Sequence, residues 1–270
     1  MALDQAHDEA HMGFLDHLEE LRKRLFVSAA AIVVGAIVLF VKKDWVFDTI
    51  LFGPRNPEFV SYRAWCKLSH LIGSGDALCV DSIGYELINT TMLGNFSAHI
   101  IVSLVGGIVV AFPIIIHQVW AFIRPAMKDS EKRAARGAGW ASTVLFLAGV
   151  GFGFFVIAPL SLQFLGNYEL GDVESRIAVM SYVKTVSSIT LSAGIIFQLP
   201  ILVLFLSKAG LVTAPLLRSY RRHALVAILA VSAVITPPDV TSQVLVSLPV
   251  LVLYELGIVI ARRQDKQRES

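Results

Sequence analysis

Apolar residues fall into six runs along the chain, separated by polar segments. Most runs carry few or no charges and are long enough to cross a hydrocarbon core of about 30 Å as a helix. The predicted spans are residues 25–41, 96–119, 137–162, 182–206, 224–236 and 240–261. The pattern therefore predicts an all-α polytopic membrane protein with six transmembrane helices.

The fifth apolar run is unusually short. It extends from Ala224 to Thr236, and at 1.5 Å per residue it covers roughly 20 Å, less than a normal bilayer core. Either the bilayer is thinner there, or the hairpin stops below the far surface, or the boundary is misplaced by a few residues. We expect the last two helices to be short.

Proline interrupts four of the predicted spans, at Pro113, Pro159, Pro200 and Pro249. Each proline removes a backbone donor and bends its helix, so neighbouring helices must satisfy the freed carbonyl. The pair Gly106-Gly107 and the spacing Gly149-x-x-x-Gly153 permit close helix contacts,. These features predict bent helices that form a concave bundle.

The composition agrees with a membrane protein. Hydrophobic residues make up 55% of the 270 residues, charged residues only 16%, and the mean hydropathy is +0.67. Soluble domains carry about a quarter charged residues. The chain has no run of basic residues interleaved with aromatic residues, a pattern that would indicate nucleic-acid binding,.

The distribution of basic residues predicts the orientation of the chain. Of the 23 Lys and Arg residues, 16 lie before the first span, in 124–136, in 208–222 or after 261. The positive-inside rule places these segments, and hence both termini, in the cytoplasm. We therefore expect one membrane domain, residues 1–270, with a cytoplasmic arm (1–24), a long exported loop (42–95) and a cytoplasmic tail (262–270).

The cytoplasmic arm combines an amphipathic pattern with paired charges. Its apolar residues recur at helical spacing, at Phe14, Leu18, Leu21 and Leu25,. The polar face carries Glu20 and Arg22 next to Lys23 and Arg24. A carboxylate beside a basic collar suits a cationic ligand, whereas the collar alone is also the usual topology signal. The local pattern leaves both interpretations open.

The long loop at 42–95 contains Cys66 and Cys79, which are the only two cysteines of the chain. Because the loop is predicted to lie in an oxidising compartment, we expect a disulfide. Two unpaired thiols that pack as small apolar groups are the alternative. The aromatic content of the loop favours a helical cap over the bundle.

The sequence contains no common catalytic or cofactor motif. A GxxxxGK[ST] phosphate loop, an HExxH helix, a GxSxG elbow and a cysteine-rich metal signature are all missing,. We therefore expect no enzyme activity, no cofactor and no metal. Polar residues in or beside the spans are the default functional candidates, namely Glu131, Gln198, Asp239, Gln243 and Glu255,. For Gln198 and Gln243, hydrogen bonding between helices is the alternative.

Three stretches together resemble the TatC family, the receptor subunit of the twin-arginine protein translocase. They are HLEELRKRL at 17–25, QVWAFIRPA at 118–126 followed by Glu131 and Arg133, and TPPDVTSQ at 236–243. The resemblance covers nearly the whole chain in order. It implies a multimeric complex of the bacterial inner membrane that binds twin-arginine signal peptides. It also implies that folded proteins are exported with single-span TatA- and TatB-type partners, driven by the proton-motive force.

The resemblance also assigns residues to the peptide site. Glu20 and Glu131 match the two carboxylates of the family's twin-arginine site, Arg22 matches its arm arginine, and Phe122 matches its loop aromatic. This assignment is chemically consistent, because two guanidinium groups need fixed carboxylates.

Further positions follow from the same resemblance. Pro54 and Phe96 match positions on the exported side, and Asp239 and Gln243 match the hairpin where a partner helix docks. Gln198 stands where many relatives carry Glu, and we expect its amide to be a hydrogen-bonding contact for a peptide or partner helix.

Two other classes of function share some of these features. A secondary transporter would also have proline-broken helices, but it should show internal repeats, and none is evident,. An intramembrane enzyme would need a nucleophile with a base, or a metal site, and the sequence assembles neither.

Overall fold

The protein is described by a computed structural model that covers residues 14–71, 73, 75, 76, 79, 80, 84–123, 129–168, 176–235 and 240–269. Its α-helices are α1 (Phe14–Val41), α2 (Val60–Leu71), α3 (Gly94–Ile123), α4 (Asp129–Phe152), α5 (Ala158–Gly166), α6 (Val179–Ile196), α7 (Leu199–Lys208), α8 (Ala214–Ser219), α9 (Arg221–Ile235) and α10 (Val240–Glu269). The described part of the predicted arm, from residue 14, and the first span form the single helix α1.

Four stretches of the described residues are long and apolar enough to cross a membrane. They are His17–Val41, Gly94–Ile123, Gly137–Gly166 and Val179–Lys208. These correspond to the first four predicted spans, with extra turns at their ends. In the third stretch α4 continues through a π-helix, Gly153–Ile157, into α5, and in the fourth α6 leads into α7.

The last two helices differ in length. Helix α9 has 15 residues and is about 22 Å long, so it is short as expected. Helix α10 has 30 residues, and the prediction of two short final helices is therefore wrong for α10. It continues through the predicted tail 262–269, which is rich in good helix formers. Asp265 also accepts a hydrogen bond from the Ala214 backbone N–H, 2.9 Å away, which ties this end of α10 to α8.

The prediction of an all-α fold also needs a correction. Two short strands, β1 (Glu86–Ile88) and β2 (Arg176–Ala178), pair in parallel with Leu87 opposite Ile177. They precede α3 and α6 respectively, where the chain is extended between helices. Pairing gives their backbone N–H and C=O groups partners that an isolated extended segment would lack.

Small residues set the close helix contacts. A Cβ atom on Gly107 of α3 would lie 2.7 Å from the backbone nitrogen of Ala36 in α1. On Gly149 it would lie 2.7 Å from the Ala193 carbonyl oxygen of α6, and on Gly153 2.8 Å from the Ala193 Cβ. The prediction that these glycines mediate helix packing is confirmed. Backbone approach of this kind is the usual source of helix association in lipid.

The prolines occupy two kinds of position. Pro113 and Pro249 lie inside α3 and α10. Pro159 and Pro200 instead are the second residues of α5 and α7, within the first turn, where the missing N–H costs little. The latter two therefore mark breaks in their spans, at the π-helix and at the turn through Phe197 and Gln198.

The described residues between 42 and 95 build a structured segment at one end of the bundle, which we call the loop end. A π-helix (Trp45–Leu51), a 3₁₀-helix (Gly53–Arg55) and α2 follow one another there. The buried hydroxyl of Tyr62 donates to the Pro54 carbonyl at 2.8 Å, and burial raises the pKa of Tyr62. The hydroxyl of Tyr182 in α6 donates to the Leu51 carbonyl at 2.7 Å. These bonds fix the segment to the membrane-spanning helices.

Replacing Gly149 with alanine should destabilise the protein, because the new methyl group would collide with the backbone of α6. Overpacking of this kind costs about 1–3 kcal/mol. Gly151→Ala is the matched control, because nothing lies within 4 Å of a Cβ at that position and both changes bring the same gain in helix propensity. Thermal unfolding in detergent should show Gly149→Ala melting below Gly151→Ala; equal melting temperatures would contradict the packing role.

Candidate functional site

The first turns of α1 carry a local ion pair. The Arg24 guanidinium lies 3.1 Å from a carboxylate oxygen of Glu20, one helical turn earlier, and the exposed fractions of the two side chains are 34% and 22%. Pairs at this spacing on a partly exposed helix contribute only about 0.3–0.5 kcal/mol. Glu20 is thus partly accessible, and its present partner is weakly held.

Two contacts attach the arm to the end of α3. The second guanidinium nitrogen of Arg24 donates to the Gln118 amide oxygen at 3.0 Å. The His17 ring stacks on Phe122, with ring centroids 4.4 Å apart and planes 24° from parallel. The structure therefore brings together two stretches that are about a hundred residues apart in sequence. We call this end of the bundle the arm end.

Arg22 lies on the same helix but has a different contact. Its guanidinium carbon is 5.6 Å from the centroid of the Phe26 ring, and the residue is exposed. Such a cation–π contact contributes about 0.5–1 kcal/mol at an exposed site. The positive charge of Arg22 therefore remains available to a ligand at the arm end.

Trp120 fixes the geometry around this face. It is buried, and its ring stacks on Phe205 of α7 with centroids 4.6 Å apart. Gly139 of α4 faces the same indole, since a Cβ there would lie 3.3 Å from the ring. One aromatic side chain thus joins α3, α4 and α7 just before Phe122. Glu131 is the third residue of α4, but its side chain lies outside the described residues.

Gln198 has an internal partner. Its amide oxygen accepts a hydrogen bond from the Ser142 hydroxyl, and its amide nitrogen donates to the Ser142 carbonyl at 3.0 Å. The residue was predicted to be a contact open to a peptide or partner helix. Both ends of the amide link α4 to the turn between α6 and α7, which agrees with the alternative interpretation; the contact with a peptide or partner helix stays a prediction.

The remaining predicted positions lie elsewhere. Gln243 donates to the Leu229 carbonyl at 3.1 Å and so links α10 to α9, while Asp239 lies outside the described residues. Pro54 is buried at the loop end. Phe96 is 56% exposed and lines a cavity of about 530 Å³, together with Phe47, Arg55 and other residues of the loop end. Gln243, Pro54 and Phe96 therefore do not form one site with Glu20.

The sequence interpretation missed several contributors. His17, Gln118 and Ser142 were not singled out, and Arg24 was treated only as part of the basic collar. The four-residue spacing of Glu20 and Arg24 was a usable signal for a helical ion pair. No local pattern could have indicated the His17–Phe122 stack or the Ser142–Gln198 bonds, because both depend on packing between distant helices.

Residues 16–249 match the sequence profile of the family described as Sec-independent protein translocase protein (TatC). The chain belongs to the TatC family. A TatC from Blattabacterium sp. subsp. Periplaneta americana is 34% identical over 264 residues, which cover 97% of this chain and 99% of that one. A TatC from Helicobacter pylori is 32% identical over 246 residues, covering 91% of this chain and 86% of that one.

The fold agrees with that family. A crystal structure of the twin-arginine translocase receptor TatC superimposes with a TM-score of 0.67 at 31% sequence identity, covering 92% of this chain and 99% of that one. This TatC chain is therefore a membrane protein and a component of a protein translocase.

The Ser142–Gln198 link predicts coupled mutations. Gln198→Leu and Ser142→Ala should each destabilise the protein, and the double variant should lose less than the sum by about 0.6–2 kcal/mol. The reason is that each single change already removes the hydroxyl–amide bond. Unfolding free energies in detergent measure this coupling. Ser188→Ala, an exposed position of α6, is the control and should be additive with Gln198→Leu; additivity of Ser142→Ala as well would refute the link.

Proposed function

We propose that this chain is the receptor that binds twin-arginine signal peptides at the cytoplasmic face and passes folded proteins to export. The observation that supports this most is the attachment of the arm to the end of α3 by the His17–Phe122 stack and the Arg24–Gln118 hydrogen bond. It holds Glu20 close to the end of α3, the helix that precedes α4 and Glu131 in the chain. A cationic ligand with two charged groups would find both carboxylates at one end of the bundle.

The Glu20–Arg24 pair suggests how an incoming arginine is accepted. Because the pair is partly exposed and local, exchanging Arg24 for a ligand guanidinium costs little. The Arg24–Gln118 hydrogen bond does not depend on Glu20, so Arg24 would keep one acceptor after the exchange, and its partly exposed charge would be hydrated. The carboxylate is therefore held in place before binding, and an arginine of the peptide replaces the intramolecular partner.

The preference for arginine over lysine follows from the geometry of the donor. A guanidinium group presents two parallel N–H donors to one carboxylate, whereas an ammonium group acts as a point charge. Two such pairs, at Glu20 and Glu131, would discriminate twin-arginine from twin-lysine peptides. Arg22 and Phe122 border the same face and would contact polar and apolar residues next to the arginine pair.

The proposed setting is the bacterial inner membrane, with both termini in the cytoplasm and six crossings, of which α9 and α10 form the last two. Single-span TatA- and TatB-type subunits are the proposed partners in a multimeric complex, and the proton-motive force is the proposed energy source. Exposed apolar side chains on α9 and α10, such as Val226 (65%) and Leu248 (58%), suit lipid or a partner helix. Asp239 and Gln243, at the hairpin between these helices, belong to the proposed docking region.

Glu20→Ala should weaken binding of a twin-arginine peptide about 10- to 150-fold, since a charge-assisted hydrogen bond contributes about 1.5–3 kcal/mol. Glu131→Ala should have a similar effect. Fluorescence anisotropy with a labelled peptide and the purified, full-length protein measures the affinity. Two affinities should be compared: that of the parent protein for the twin-lysine peptide, and that of the Glu20→Ala variant for the twin-arginine peptide. The first should be no higher than the second.

Glu19→Ala is the matched control, because Glu19 is adjacent in the helix, carries the same charge and is exposed. It should leave the affinity within about twofold, since a surface charge outside the contact contributes little. Thermal unfolding should first show that the parent and the Glu20→Ala, Glu131→Ala double variant are both folded. Equal affinity of these two proteins for the twin-arginine peptide would then exclude this binding site.

The proposed orientation predicts which residues are accessible from outside the cell. In a background with Cys66→Ser and Cys79→Ser, Glu58→Cys in the loop should react with a membrane-impermeant maleimide in intact cells. Glu19→Cys in the arm should react only after lysis. Both positions are exposed, so access is decided by the side of the membrane. The reverse labelling pattern would show that the orientation is inverted.

A further inference from the structure

Four potential metal ligands converge at the loop end, apart from the proposed peptide site. They are Cys66, His70, Asp76 and Cys79, whose ligand atoms all lie within 4.8 Å of one another. Among the described residues, no other group of three or more His, Cys, Asp or Glu side chains meets that criterion. The spacing C-x3-H-x5-D-x2-C is not one of the common zinc signatures, so a motif search does not reveal it.

The local fold explains the convergence. Cys66 and His70 are one turn apart on α2 and lie on the same face of that helix,. After α2 the chain turns back through Gly73 and Gly75, both with positive φ (75° and 58°). The buried Ser69 hydroxyl donates to the Gly75 carbonyl at 2.7 Å. This bond holds the turn that brings Asp76 and Cys79 over the Cys66–His70 face.

The distances match a tetrahedral site. Zinc–ligand bonds of about 2.0–2.3 Å place neighbouring ligand atoms about 3.3–3.8 Å apart. His70 Nε2 lies 3.7 Å from Cys66 Sγ, 3.9 Å from Cys79 Sγ and 3.3 Å from Asp76 Oδ1. Cys79 Sγ lies 3.7 Å from Asp76 Oδ1. Four of the six edges are thus close to tetrahedral values. The sulfur–sulfur edge is shorter, because the two cysteines are joined by a disulfide, and the Cys66–Asp76 edge lies within 4.8 Å.

We propose that Cys66, His70, Asp76 and Cys79 bind a zinc ion when the disulfide is reduced. A dithiol reductant transfers its two hydrogens to the protein sulfurs and becomes a disulfide itself. Zn²⁺ then displaces the two thiol protons and is held by two thiolates, one imidazole and one carboxylate. Rotation of a cysteine side chain about its Cα–Cβ bond separates the sulfurs enough for both to reach the ion.

The donor set favours zinc among the divalent ions. Two thiolates exclude the oxygen-preferring ions Mg²⁺ and Ca²⁺, and a closed four-ligand tetrahedron is the usual structural zinc geometry. His70 and Asp76 are exposed, so an ion has a direct path from solvent. The disulfide and the metal are thus alternative closures of the same turn, and the redox state of the cysteines selects between them.

The experiment uses the full-length protein in detergent, reduced with a phosphine that adds no competing thiol, and Zn²⁺ as the probe. Reduced parent protein should retain one more zinc per chain by elemental analysis than the Cys66→Ser, Cys79→Ser variant. Oxidised parent should retain no more than that variant. Bound zinc should also protect both thiols from alkylation, as measured by mass spectrometry.

Two variants separate the four-residue site from simple binding by a dithiol. His70→Ala should require at least about tenfold more zinc for the same protection, while His223→Ala, an exposed histidine on α9, should change nothing. Zinc retention by the reduced parent equal to that of the double-serine variant would overturn the proposal. Unchanged protection in His70→Ala would overturn it as well, because the thiols alone would then hold the ion.

Discussion

A bilayer core contains no water to pair with backbone N–H and C=O groups, and the rest of this structure depends on that constraint. Each crossing must satisfy its own backbone hydrogen bonds, so the chain enters the membrane as helices. Lipid gives no hydrophobic drive for helices to associate, and contact at Gly107, Gly149 and Gly153 supplies packing instead,. The polar Ser142–Gln198 bonds lie on the same side of α4 as the contact of Gly149 and Gly153 with α6, and they add specificity to it.

The two ends of the bundle are under a different constraint, because water there can pair with polar groups that the protein leaves unpaired. At the arm end the contacts are weak and partly exposed, as in the Glu20–Arg24 pair, which suits a surface that exchanges partners. At the loop end, Tyr62 and Tyr182 donate buried hydrogen bonds to backbone carbonyls, and a disulfide closes the turn after α2. These bonds fix that end to the bundle, and the disulfide keeps the side chains of the proposed zinc site together.

The apolar runs, the charges between them and the prolines were enough to predict a mostly helical membrane protein, its first four spans and the short helix α9. They predicted these features because each depends on neighbouring residues: hydropathy over one helix length, or a proline at a fixed position. The glycine contacts were predictable for a similar reason, since only a residue without Cβ lets two backbones approach. Where the forces were not local, the sequence was insufficient: the β1–β2 pairing and the bond that ties the end of α10 to α8 join segments distant in the chain.

By itself the sequence determined which residues are charged, small or apolar, and hence the membrane-spanning pattern, the family resemblance and the choice of Glu20 as a candidate ligand. Only the tertiary structure decided which partners these side chains have. It joined His17 to Phe122 and turned Gln198 inward to Ser142. The physical reason is that a hydrogen bond or ring stack depends on distances of a few ångströms between helices, and packing of the whole bundle sets those distances.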